Sequence, residues 1–115
     1  MAAPDYSEQS QQTTIASGTS ETTIVTADPN FRRNLTRLLV TTANAAAATL
    51  TLRDATGGSA VAIFDYPNAA SAPTTPLLIN FDPPLRQSAK NSNWTLQASA
   101  AAGAIHITAD FVMGS

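Results

Sequence analysis

From residue 21 onward the chain repeats one pattern: short runs with apolar or β-branched residues at every second position, broken by turn residues. That period of two belongs to strands with one face in a core. The segment 22–27 (TTIVTA) is rich in β-branched residues, and Asp28-Pro29-Asn30 follows as a turn. Residues 35–42 (LTRLLVTT) form a mixed apolar run. Residues 48–54 put Leu50 and Leu52 on one face and Thr49, Thr51 and Arg53 on the other. Ala55-Thr56-Gly57-Gly58 then supplies a hairpin connection, where Gly allows positive φ. Residues 60–66 (AVAIFDY) are the return strand.

Residues 67–76 form a loop with three prolines, and 77–81 (LLINF) a short strand stopped by Asp82-Pro83-Pro84. Residues 94–99 group Trp94, Leu96 and Ala98. A turn around Gly103 leads to the strongest alternation: Ile105, Ile107, Ala109, Phe111 and Met113 face one way, and His106, Thr108, Asp110 and Val112 the other. The alanine-rich 43–48 segment is too short for a stable helix. Strands spaced in this way predict an all-β chain, an antiparallel β-sandwich of about eight strands with Greek-key or jelly-roll connections.

Residues 1–20 lack the pattern. They are polar, rich in Gln, Ser and Thr, with only Tyr6 and Ile15 to anchor anything. They read as a flexible N-terminal arm ahead of a sandwich domain at 21–115. Deleting the arm should then leave the sandwich folded.

Charge narrows the function. Only 12% of the 115 residues are charged, about half the usual share. Six bases face eight acids; Asp5 and Glu8 lie in the arm, so the body is neutral and the arm carries the −2. Such a body will not neutralise many phosphates, which excludes a sequence-independent nucleic-acid binder. No apolar run is long enough to span a bilayer, and the N-terminus lacks the basic and apolar regions of a secretion signal. With no Cys and one His, thiol chemistry is excluded and zinc is a poor fit.

Catalytic constellations are equally thin. His106 and Asp110 share a strand face, but four positions separate them by about 13 Å. Asp54, Asp65, Asp82 and Asp110 are the remaining candidates for paired carboxylates, and Asp54 and Asp82 sit where turns favour Asp anyway. Asp28-Pro29-Asn30 and Asn91-Ser92-Asn93 offer too few oxygens for calcium, and no phosphate loop is present. The expectation is no catalytic site, no cofactor and no metal. Arg32, Arg33 and Arg37 form the one basic cluster; in a regular strand Arg33 and Arg37 share a face. They serve either a partner's acids or a guarded sheet edge. Trp94 reads as core rather than as a sugar-stacking platform.

Three stretches carry a resemblance: Leu50-Thr51-Leu52-Arg53-Asp54-Ala55-Thr56-Gly57-Gly58, the segment from Phe81-Asp82-Pro83-Pro84-Leu85-Arg86 to Asn91, and the closing alternating strand. Over residues 22–113 the chain resembles small β-sandwich virion proteins of tailed phages and prophages, in particular capsid decoration, or cement, proteins. The resemblance implies a jelly-roll-like sandwich, a homotrimer, and attachment to the outer surface of a capsid assembled from a major capsid protein. It implies synthesis in the bacterial cytoplasm and residence in the virion. Tyr6, Ile15, Arg32, Arg33 and Arg37 are the expected interface residues. The alternative is a tail-associated or carbohydrate-binding sandwich; a small hydrolase is the reading with least support.

Overall fold

A computed structural model of the chain describes residues 8–16, 18–42, 48–66, 77–100 and 104–114. Eight strands run in order: β1 (Gln9–Ile15), β2 (Thr22–Val25), β3 (Arg32–Thr42), β4 (Ala48–Arg53), β5 (Ala60–Tyr66), β6 (Leu77–Leu85), β7 (Trp94–Ala98) and β8 (Ile105–Gly114). One sheet has the order β1-β8-β3-β6, the other β2-β7-β4-β5, and every pairing is antiparallel. The topology follows one rule. β1 pairs with β8, β2 with β7, β3 with β6 and β4 with β5. The chain is one long hairpin with its tip at residues 54–59, rolled up so that β3 also meets β8 and β4 also meets β7. That arrangement is a jelly roll, one of the two connections the strand pattern allows and the one the resemblance implies.

The alternation drives the roll. Leu50 and Leu52 of β4, Trp94, Leu96 and Ala98 of β7, and Ile105, Ile107, Ala109 and Phe111 of β8 are all buried. Leu35, Leu38 and Val40 of β3 and Ile24 and Val25 of β2 complete the centre. The hairpin turn forms as expected: the Gly58 N–H donates to the Ala55 carbonyl at 3.0 Å, and Gly57 takes φ +72°.

Two expectations are corrected. The sandwich does not begin at residue 21. Gln9–Ile15 is a strand paired in register with β8, from Gln9 opposite Phe111 to Ile15 opposite Ile105. The alternation there is hidden because its inward residues are polar. The Gln11 side chain accepts from the Thr26 N–H at 3.0 Å and donates to the Thr26 hydroxyl at 3.2 Å, closing the edge where β1 lies against β2. Ile15 is 2% exposed and belongs to the core, so it is no arm anchor. The second correction concerns β6, which continues through Pro83 and Pro84 to Leu85. Proline removes a ladder donor, which is tolerable because β6 is an edge strand with one side unpaired. The proline loop at 67–76, the alanine-rich 43–47 segment and the turn at 101–103 lie outside the described residues.

Because β1 is structural, removing it should unfold the protein rather than trim it. Ile15→Ala should cost about 2–4 kcal/mol in urea unfolding. Gln11→Ala should cost about 1 kcal/mol. Deletion of residues 1–16 should cost more than both together. A deletion protein with the parental midpoint would place β1 outside the cooperative unit.

Candidate functional site

Of the five residues expected at an interface, the four that the structure describes do not form one patch. A bulge at Thr36 separates the arginines. Along β3, Leu35 lies opposite Phe111 and Arg37 opposite Asp110, so Thr36 is an extra residue that shifts the alternation by one. Arg33 therefore turns toward the end of the core, and Arg37 outward. The Arg33 guanidinium stacks 5.0 Å from the Phe111 ring centroid, donates to the Thr26 carbonyl at 2.7 Å and lies 3.7 Å from the Asp28 carboxylate. Its backbone is also engaged: the N–H donates to Gln87 Oε1 at 3.0 Å, and the carbonyl accepts from the Trp94 indole N–H at 2.5 Å. Arg33 holds the sandwich end together. Arg32 lies opposite Gly114, half-buried. Ile15 is in the core, and Tyr6 lies outside the described residues.

Asp110 is the most buried acid described, at 4% exposure, although it sits on the outward face of β8. Register explains the burial. Ser10 and Arg37 flank it directly on the neighbouring strands. The Ser10 hydroxyl donates to Oδ1 at 2.5 Å, and Arg37 donates to Oδ2 from Nε at 2.8 Å and Nη2 at 2.6 Å. Three strands are thus tied across one row. One turn of the pattern away, the Thr36 hydroxyl donates to Glu8 Oε2 at 2.6 Å.

The opposite sheet carries a second network. Glu21 accepts from the Thr95 hydroxyl and from the Gly57 N–H, 3.1 Å from each carboxylate oxygen. The Thr95 bond holds its carboxyl below the usual glutamate range; partial burial opposes this, and Gly57 and the Arg53 charge reinforce it. Arg53 donates to Gly58 O at 2.9 Å and to Gln97 Oε1 at 2.7 Å. The loop after β6 is pinned by the buried Gln87, which composition did not single out. Gln87 donates to the Ser92 carbonyl, and its N–H to Asn34 Oδ1 at 3.1 Å. Asn91 takes φ +57° there, a conformation asparagine tolerates.

His106 lies on an open groove of about 500 Å³ on the β1–β8 face, with Gln12, Thr14 and Thr108. Its Nδ1 is 3.0 Å from the Thr14 hydroxyl. Asp110 is committed to Ser10 and Arg37, so the two do not form a dyad. Asp54 Oδ2 accepts from the Ser88 N–H at 2.8 Å, a structural duty. Among the described residues no group of three His, Asp or Glu is placed to hold a metal ion.

No family model matches the chain. No curated protein matches it by sequence. Among solved structures it is similar to the coat protein dimer of tobacco streak virus, with a TM-score of 0.40 and 10% identity over 91% of this chain and 88% of that one. A likeness that slight carries no argument about what this chain does.

The two networks make separate predictions. Arg37→Leu strands the buried Asp110 carboxylate and should cost about 2–3 kcal/mol. Asp110→Asn should cost less, about 1 kcal/mol, because the half-exposed Arg37 can turn to water. Urea unfolding giving the reverse order would contradict this account. Glu21 has a folded pKa below its unfolded value of about 4.3. Its stabilisation is therefore present above that value and lost as pH falls through it toward the folded pKa. Glu21→Gln should flatten the stability–pH curve below about pH 5, as read by thermal melts across pH.

Proposed function

We propose that the chain is a non-enzymatic virion structural protein of a tailed phage, a decoration protein that binds the outer surface of the assembled head. The jelly roll hosts capsid and lectin domains alike, so fold is only permissive. The sequence resemblance gives the reading its direction. One structural observation supports it: β1 and β3 both start at one end of the β1-β8-β3-β6 sheet, with Gln9 and Arg32 near the end of β8. Gln9 is opposite Phe111 and Arg32 opposite Gly114, so β1 and β3 both begin at the same end of the sheet. That end of the sheet is the surface proposed to face a neighbouring protein. The partner is the major capsid protein.

The mechanism is linkage. A ligand that binds only the assembled lattice raises the free energy needed to take it apart, and repeated copies turn weak contacts into avidity. The acids that have described partners are held in structural bonds, which suits this role better than catalysis. The carbohydrate-binding alternative loses its main aromatic, since Trp94 is fully buried and its indole N–H bonded to Arg33.

Co-sedimentation with empty tailed-phage capsids tests the reading. The full chain should pellet with expanded capsids, not with unassembled subunits, and raise the temperature of capsid disassembly. Deletion of residues 1–7 should weaken binding about tenfold or more, a loss of about 1.4 kcal/mol, with the melting of the free protein unchanged. A chain that stays in the supernatant with every capsid form tested would overturn it.

A further inference from the structure

The two margins of the sandwich are unlike. At the β1/β2 margin the core is closed, with Ile15, Ile24 and Val25 buried. The two sheets run in the same order from there, which places β5 and β6 together at the far margin. Every fully buried apolar residue described lies on the other six strands. The inward residues of β5 and β6, namely Ala62, Phe64, Leu77, Ile79, Phe81 and Leu85, are only partly buried. The exposed large apolar residues lie on the same two strands: Val61 at 39%, Ile63 at 62% and Leu78 at 53%.

Of the four edge strands, three are poor templates for pairing. β2 has four residues. β6 carries Pro83 and Pro84, and β1 is polar until Ile15. β5 has neither proline nor a basic residue, and its one charge is Asp65. Among the described residues no strand pairs with its outer side, so its outward N–H and C=O groups can bond another extended strand in register.

We infer that β5 is a homotypic interface, pairing antiparallel with β5 of a second copy about a twofold axis at Ile63. The strand is self-complementary in that register. Ile63 is the middle of its seven residues. Antiparallel partners directly opposite share a face, so Ile63 meets Ile63 of the second copy on the outer side, flanked diagonally by Val61 of each. On the inner side Ala62 lies opposite Phe64, small against large, twice. Asp65 lies opposite Val61, and the two Asp65 side chains stand four positions apart, about 13 Å, so like charges do not meet. Registers centred on Phe64 bring the acids closer and shorten the overlap. The pairing extends β2-β7-β4-β5 into an eight-stranded sheet across two copies. It is isologous and closes at two, unlike the trimer that the resemblance implies.

The full chain carries no cysteine, which makes a clean test available. Sedimentation over a range of concentrations should show a reversible monomer–dimer equilibrium. Ile63→Lys opposes two ammonium groups at the axis and should raise the dimer dissociation constant at least about tenfold. At concentrations where the parent is monomeric, its circular dichroism and melting temperature should match the parent, since Ile63 is exposed. Under mild oxidation Ile63→Cys should form a disulfide-linked dimer, while Val61→Cys, about 13 Å from its own copy in this register, should not. A chain that is monomeric at every concentration, a mass of three copies, or equal cross-linking of the two cysteine variants would overturn the proposal.

Discussion

The β3–β8 ladder runs from Arg32 opposite Gly114 to Thr42 opposite Ile105, the longest among the described residues. Strands 32–42 and 105–114 are far apart in sequence, so their meeting is what rolls the hairpin. β8 then presents its free side to β1, and β3 its free side to β6. The inward residues of the pair, Leu35, Leu38 and Val40 against Ile105, Ile107, Ala109 and Phe111, form the floor on which Trp94, Leu96, Leu50 and Leu52 of the other sheet pack. The ladder also sets the outer chemistry. By placing Ser10, Asp110 and Arg37 in one row, it allows a carboxylate to be buried on a face that would otherwise be wet. Removing Asp110 from water is costly unless both oxygens are bonded, and in this row both are.

The legible part of the fold was the part with apolar alternation. β4, β5 and β8, the Gly57 turn and the core placement of Trp94 follow from spacing, because apolar or β-branched residues recur at every second position between clear turn residues. β1 was illegible for a physical reason. Gln11 faces inward and is satisfied by Thr26, just past the end of β2, so its signature is a hydrogen bond rather than hydrophobicity. Period-two reading has no access to a partner fifteen residues away. The shared face expected for Arg33 and Arg37 failed on one inserted residue. A bulge costs little locally, yet it reverses every side chain beyond it.

That bulge separates two kinds of arginine that look alike in sequence. Arg33 stacks on Phe111 and bonds to Thr26, joining β3 to the end of β2. Arg37 covers Asp110, joining β3 to β8. Arg32, the first residue of β3, lies half-buried opposite Gly114 at the end of the same ladder. Gln87 was missed altogether, since nothing in a Gln between Arg86 and Ser88 announces that it will be buried. Its role emerges only when β3 supplies Arg33 and Asn34 as partners.

A jelly roll has two open margins, and the chemistry that closes one is absent from the composition of the other. The β1/β2 margin carries Gln and Thr, which can hydrogen-bond across the gap and tolerate water. The β5/β6 margin carries Ala62, Phe64, Ile79 and Phe81, which can do neither. Apolar side chains left at a margin lose contacts on one side and keep contact with water, so a surface that covers them gains free energy. In a highly charged protein, repulsion between copies would offset that gain. Here residues 21–115 carry six acids and six bases and net to zero, so no large net repulsion opposes the approach. Low charge, first a reason to exclude nucleic acid, becomes in the folded chain the condition that lets like surfaces approach.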